Sequence, residues 1–257
     1  MQTIDAIQPI ADIANDGVFE VETARHEPIL IDIRHPDAFA LAARHIRREA
    51  ILVQFPAVFV LLAAPNSDGA ARLDSAKRRL PGKTYGTLIG DLQRFVDQAD
   101  HDRLPAEFRT ADDFEPMTGT FVRLPFRTPE FESATLRGET HQGVLVEGIH
   151  RELARHLETV FIGDAPDRIW GGSNYTGMLC TSANFSGHPE GSIVEHEKAL
   201  EFARAQGIGL FLTCTDRSEE LGSYPIFGYE QDAVRIHREG PFLEQYKDRI
   251  PAALRTW

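Results

Sequence analysis

The stretch TSANFSG, residues 181–187, decides how this chain is read. It closes an apolar run with strand character, Met178–Ala183, and Asn184 to Gly187 form a polar turn. A Ser-Ala-Asn turn at a strand end offers a hydroxyl, an amide and backbone N–H donors to phosphate or carboxylate oxygens. Working outward, three further polar features fall at predicted strand or helix ends. These are Lys77 with Arg79 in SAKRRLPGK, Arg123 in GTFVRL, and Gly222-Ser223 followed by Arg238. Two or three arginines or lysines beside such a turn can neutralise a triphosphate. Neither G-x-x-x-x-G-K-[ST] nor G-x-G-x-x-G occurs, so the two common phosphate-binding loops are absent.

The composition narrows the partners. The formal net charge of −12 argues against broad electrostatic adhesion to nucleic acid or anionic lipid. A polyanion must be met locally, and the cluster Lys77, Arg78, Arg79 and Lys83 suits a small phosphorylated ligand better than a duplex. Hydrophobic residues make up 42% of 257, enough for a sizeable core. The longest apolar run, Ile51–Ala64, is interrupted by Gln54 and Pro56 and reads as buried strand, so no membrane span is expected. The opening MQTIDAIQPIADIAND lacks a basic start followed by an apolar segment, and the expected compartment is the cytoplasm. Cys180 and Cys214 are too few for a disulfide framework or a thiolate zinc site and are expected reduced. The ten histidines show no metal-ligand spacing, and no protein-bound metal site is expected.

No repeat or linker divides the chain, which predicts one domain over 1–257. The segment from His35 to Arg48 has helical character. Helices are predicted over Asp68–Arg79, stopped by Pro81-Gly82, over Leu88–Ala99, over Gly148–Val160, and from a capping-box spacing at Ser192–Glu195 to about Ala205. Asp100–Thr118 reads as polar loop. Strands are expected at Ile51–Ala64, Gly119–Leu124, Met178–Ala183, Gly209–Thr215 and Ala233–His237. Irregular alternation with hairpin-like stretches near the end predicts an α/β fold with a twisted, mixed parallel and antiparallel sheet and flanking helices.

KRRLPGK resembles the K-x-R signature of the YrdC/Sua5/YciO family, with Lys77 and Arg79 in the signature positions. Val122–Pro125 resembles its V-R-x-P strand, and TSANFSG its S-x-N motif with the following Ser-Gly. Ser223–Phe227 and Val234–Gly240 resemble the late serine-containing strand and the R-x-G ending. The matches run in order from about Ile51 to Gly240, leaving an N-terminal extension and an insert from about 129 to 172. The resemblance implies a concave, positively lined cavity and formation of a carbamoyl-type adenylate, threonylcarbamoyl-AMP or a relative, from ATP, bicarbonate and an amine. Pyrophosphate would be released, Mg²⁺ would help offset the triphosphate charge, and the product would serve tRNA modification, with a possible protein partner in that or a biosynthetic pathway. Carried over, Lys77, Arg79, Ser182, Asn184 and Arg238 would hold ATP or adenylate phosphates, and Arg123 and Ser223 the amino-acid or carbamate side.

One departure matters for the substrate. Where the family carries hydroxyl and carboxylate groups after its first proline, Pro56 is followed by Ala57, Val58, Phe59, Val60 and Leu61. An apolar wall cannot replace hydrogen bonds to a substrate hydroxyl without penalty, so threonine is expected to be a poor substrate. Two alternatives stay open: a non-catalytic nucleotide or RNA-binding module, and a carbamoyl-adenylate or carbamoyl-transfer step, with a carbamoyl donor, in a specialised pathway. Trp170, Gly171, Gly172 and Tyr175 are candidates for a loop near the S-x-N turn.

Overall fold

Strands drawn from nearly the whole chain meet in one sheet. A computed structural model describes residues 27–79, 83–126, 135–137, 139–163, 177–185 and 189–257. Ser186, Gly187, the predicted helix stop at Pro81-Gly82, and the Trp170–Tyr175 segment lie outside the described residues. The strands are β1 (Ile29–Asp32), β2 (Ile51–Gln54), β3 (Phe59–Ala63), β4 (Gly86–Ile89), β5 (Phe121–Pro125), β6 (Leu136–Arg137), β7 (Thr140–Leu145), β8 (Leu179–Ser182), β9 (Leu210–Thr213), β10 (Ile226–Glu230) and β11 (Ala233–Arg238). Their order is β1-β9-β2-β3-β8-β4-β7-β5-β10-β11, with β6 pairing β7. Parallel pairs (β1 with β9, β4 with β7, β5 with β10) stand in one sheet with antiparallel ones (β2 with β3, β3 with β8, β5 with β7), so the predicted mixed α/β sheet is present.

Both faces of the sheet are covered, which explains why its central strands read as continuous apolar runs. On β3, Phe59, Leu61 and Ala63 enter one core while Val60 and Leu62 enter the other. The first core packs under α2 (Ser67–Lys77), α3 (Leu92–Asp97) and α6 (His196–Ala205); the second packs under α1 (Ala38–Ile46) and α5 (Gly148–Phe161).

Four sequence expectations are corrected. Ile51–Ala64 is a hairpin, because Pro56 falls in a turn closed by Phe55 N–H to Val58 O at 3.0 Å. In Leu88–Ala99 only the second part is helical: Leu88 and Ile89 belong to β4, and Asp91 caps α3 by accepting the Arg94 N–H at 3.0 Å. Asp100–Thr118 contains α4 (Ala111–Phe114), begun by the Thr110/Asp113 capping box, and buries Phe108 and Phe114 against Tyr229. The Ser192–Glu195 spacing does not cap α6, whose N-cap is Glu195. Part of the segment set apart as an insert supplies β7, which lies between β4 and β5 in the sheet.

Candidate functional site

Helix α2 places the first two basic residues of the site. Asn66 caps it by accepting the Gly69 N–H at 2.8 Å, and it ends at Arg78, which adopts a left-handed conformation with φ 46°. That reversal buries Lys77 under β8 and sends Arg79 onto the Tyr85 ring, 4.0 Å from its centroid. Arg79 donates through Nη2 to Thr84 O at 2.6 Å and through Nε to Lys83 O. Arg238, at the end of β11, is held likewise, donating through Nε and Nη2 to Tyr224 O at 3.1 and 2.6 Å. Each guanidinium is fixed by backbone carbonyls and leaves Nη1 without a partner among the described residues.

Arg79 and Arg238 line one cavity of about 120 Å³ together with Ser182, Ser223, Thr84 and Gln142. Its other wall is apolar: Phe55, Val58 and Val60 from the first hairpin, with Phe121 and Val144. Arg123 is tied to this cavity through Gln142, whose Oε1 accepts from Arg123 Nη2 at 2.7 Å. Burial and then the Arg123 charge pull the Arg238 guanidinium down to about 10, against a pull upward from Cys180. The Cys180 thiol, also on the wall, is pushed up to about 12 by burial, so it is an unreactive thiol at neutral pH.

Lys77 stands behind this cavity. Its Nζ donates to Asn184 Oδ1 and to the Ser182 carbonyl, tying the end of α2 to the turn after β8. Burial, and then the charges of Arg79, Lys83 and Arg238, bring the ammonium down to about 7, so a fraction of it is neutral at physiological pH. Asn184 faces a second, larger groove of about 410 Å³ floored by Phe185, Ile193 and Phe202. The Ser192 and Ser223 hydroxyls share a hydrogen bond where groove and cavity meet.

The loop carrying Ser223 depends on the Arg-x-Gly ending. A Cβ at Gly240 would lie 2.4 Å from Ser223 O and 2.6 Å from Pro225 N, so only glycine lets β11 bring this loop against the arginine.

Solved structures with a similar fold are known. The chain matches P. abyssi Sua5 complexed with L-threonine with a TM-score of 0.63 at 17% identity, over 88% of this chain and 62% of that one. It matches E. coli YciO with a TM-score of 0.59 at 15% identity, over 83% of this chain and 94% of that one. The chain has the YrdC/Sua5/YciO fold. Full-length HypF in its phosphate- and nucleotide-bound form also matches, with a TM-score of 0.54 at 16% identity, over 78% of this chain and 28% of that one. The chain spans less than two thirds of the length of the Sua5 structure and a smaller part of HypF. No family model and no curated protein matches the chain.

Within this YrdC-like fold, the residues singled out from the sequence come together in two layers. Arg79, Ser182, Ser223 and Arg238 line the cavity, whereas Lys77, Asn184 and Arg123 reach it through Ser182, the turn and Gln142. Sequence reasoning missed Gln142, Thr84 and Tyr224. Gln142 stands in THQGVL, on β7, half-buried between the buried His141 and Gly143, and its partner is on the neighbouring strand. Of the apolar residues after Pro56, Val58 and Val60 face the cavity, while Phe59 enters the opposite core.

Proposed function

We propose that the chain is an ATP-binding, adenylate-forming enzyme of the Sua5 kind, acting on an amine other than threonine. The observation that carries this reading is the pair of carbonyl-held guanidiniums, Arg79 and Arg238, in one cavity beside the Ser182 hydroxyl, with Nη1 of each guanidinium and that hydroxyl unpartnered among the described residues. Preorganised donors of this kind stabilise charge on phosphate without having to reorganise when the substrate binds. The neighbouring structures, Sua5 complexed with L-threonine and HypF in its phosphate- and nucleotide-bound form, agree with it.

A volume of 120 Å³ corresponds to roughly four waters at about 30 Å³ each, enough for phosphate groups and a small carboxylate but not for a whole nucleotide. The phosphates would therefore lie against Arg79, Ser182 and Arg238, with the positive charge of Lys77 behind them. The nucleoside would extend past Asn184 into the groove over Phe185 and Ile193. In the reaction, an amine and bicarbonate condense to a carbamate with loss of water. A carbamate oxygen then attacks the α-phosphorus, and the bond to the pyrophosphate oxygen breaks. Arg123, through Gln142, and Ser223 would hold the carbamate side. Among the described residues no group of three His, Cys, Asp or Glu side chains is placed to hold a metal. The cavity offers hydroxyls and guanidiniums, so Mg²⁺ would enter on the triphosphate itself.

No helix among the described residues is long and apolar enough to cross a membrane. Service in tRNA modification or another biosynthetic pathway, a protein partner there, and a cytoplasmic setting remain part of this proposal. Isothermal titration with ATP and Mg²⁺ tests the nucleotide step: saturable heat is expected, and no heat at millimolar nucleotide would remove the reading.

A further inference from the structure

The two guanidiniums of the phosphate cavity are supported in the same way, by backbone carbonyls at the edge and an aromatic ring on one face. Arg79 lies 4.0 Å from the centroid of Tyr85, and Arg238 lies 5.5 Å from that of Phe121. Both supports trace to one short stretch, Thr84-Tyr85-Gly86, which leads into β4. Successive side chains of an extended chain point to opposite sides. Thr84 and Gly86 accordingly line the cavity, while the Tyr85 side chain enters the core under α2 and α3.

Tyr85 is 3% exposed and is not among the residues that line the cavity, so it acts on a ligand only through Arg79. Its ring is packed in the core, and its hydroxyl donates to Asp74 Oδ1 in the last turn of α2. Burial, and then the bond to Asp74, push that hydroxyl up, so it stays a donor. Asp74 O in turn accepts the backbone N–H groups of Arg78 and Arg79, so one residue anchors both the ring and the chain that carries the guanidinium. With Thr84 O taking Nη2 and Lys83 O taking Nε, the plane of Arg79 is fixed before any ligand arrives. A loose arginine would have to be ordered on binding, at a cost in affinity.

Gly86 acts by lacking a side chain. A Cβ there would stand 2.7 Å from Phe121 Cε1 and 3.3 Å from Gln142 O. Its absence lets the Phe121 ring, from β5, reach across β7 to β4 and lie against Arg238. We propose that Tyr85 and Gly86 are positioning residues that set both guanidiniums to one phosphate site, Tyr85 by giving Arg79 a fixed ring face and Gly86 by admitting the ring that supports Arg238. The consequence for phosphate binding rests on the adenylate reading above; the fixing of the two side chains does not. A methyl at position 86 also takes up cavity space, and the test separates the two effects.

The test is calorimetric titration of the full chain with ATP and Mg²⁺ in a set of variants. Tyr85→Leu should bind about threefold to tenfold more weakly, the cost of ordering one long side chain on binding. Tyr85→Phe should stay within about twofold of the wild type, because the ring face under the cation is kept. Tyr85→Met, which fills the core without a ring, replaces Tyr85→Leu should that variant fail to fold. In the Arg79→Ala background Tyr85→Leu should cost nothing more, and in the Arg238→Ala background Gly86→Ala should lose its effect. Wild-type affinity in Tyr85→Leu, equal losses in the Leu and Phe variants, or a loss that persists without Arg79 would overturn the role of Tyr85. Wild-type affinity in Gly86→Ala, or a loss that persists without Arg238, would overturn that of Gly86. The arginine Nε–H signals of the ¹⁵N-labelled chain give a readout that needs no ligand. The Arg79 signal should carry a ring-current shift in the wild type and Tyr85→Phe and lose it in Tyr85→Leu, and the Arg238 signal should move in Gly86→Ala. Signals unmoved by these changes would overturn the proposal. Absence of ATP binding in the wild type, with both signals moving as expected, would remove the nucleotide function and leave the positioning of the arginines standing.

Discussion

Lys77 Nζ donates a hydrogen bond to Asn184 Oδ1, across 107 residues of sequence. One bond thus joins the K-x-R end of α2 to the S-x-N turn after β8, the two motifs on which the phosphate-binding reading rests. It also takes an ammonium group out of water, and the consequences of that burial can be measured.

The Lys77 ammonium falls from an ordinary value of 10.5 to about 7 on folding, through burial and then its cationic neighbours. Between those values the unfolded chain binds more protons than the folded one, so burial of this residue costs stability below about 7 and the cost fades as pH rises toward 10.5. Cys180 acts in the opposite direction above about pH 9, because its thiol stays protonated when folded. The readout is therefore the difference between wild type and Lys77→Met in denaturant midpoint between pH 6.5 and 9. The wild type should gain stability relative to the variant across that window, and a constant difference would show that Lys77 is not desolvated.

Arg79→Ala and Arg238→Ala should each weaken ATP binding by about 1–3 kcal/mol, the range for charge-assisted hydrogen bonds to phosphate. Their thermal stability should change less, because each side chain is held by loop carbonyls and one ring face, Tyr85 for Arg79 and Phe121 for Arg238, and fills no core layer. Titration calorimetry beside a melting curve distinguishes the two. Unchanged affinity in both variants would make the pair a structural clamp.

Gly240→Ala should act at a distance from any ligand atom. The added methyl meets Ser223 O and Pro225 N, so the loop holding Ser223 and Tyr224 must shift. Reduced ATP affinity with the Arg238 side chain still present is the expected outcome. Wild-type affinity in this variant would mean that the loop's position is irrelevant to the site.

How much of this was legible in the sequence differs between element types. The mixed α/β sheet and the strand before TSAN were readable because apolar runs and a polar turn leave a local record. The hairpin within Ile51–Ala64 was not, because both strands are buried on both faces and Pro56 is the sole interruption that marks the turn. Arg79 and Arg238 were found through short motifs. Gln142 was missed because its role is defined by a partner, Arg123 on the neighbouring strand, and cross-strand register is not written in either segment alone. Ser192 read as a helix cap, but in three dimensions its hydroxyl is taken by Ser223.

The apolar wall makes a prediction about substrate choice. Val58 and Val60 face the cavity where a hydroxyl-bearing substrate would need partners, so threonine should support pyrophosphate release poorly. Each missing hydrogen bond is worth on the order of 1–3 kcal/mol of discrimination. Val60→Thr should raise the threonine-dependent rate relative to that with an apolar amine. A wild-type rate already as high with threonine as with any other amine would contradict the assignment of this wall.

The central claim is that the cavity between Arg79 and Arg238 makes a carbamoyl-type adenylate. Mass spectrometry after incubation of the full chain with ATP, Mg²⁺, bicarbonate and a panel of amines, with carbamoyl phosphate as a parallel donor, tests it most directly. The account predicts an amine-dependent adenylate carrying one carbamoyl group, formed with an equal amount of pyrophosphate and lost in the Arg79→Ala, Arg238→Ala double variant. ATP binding without any such product across the whole panel would contradict it, and would leave a nucleotide-binding module in its place.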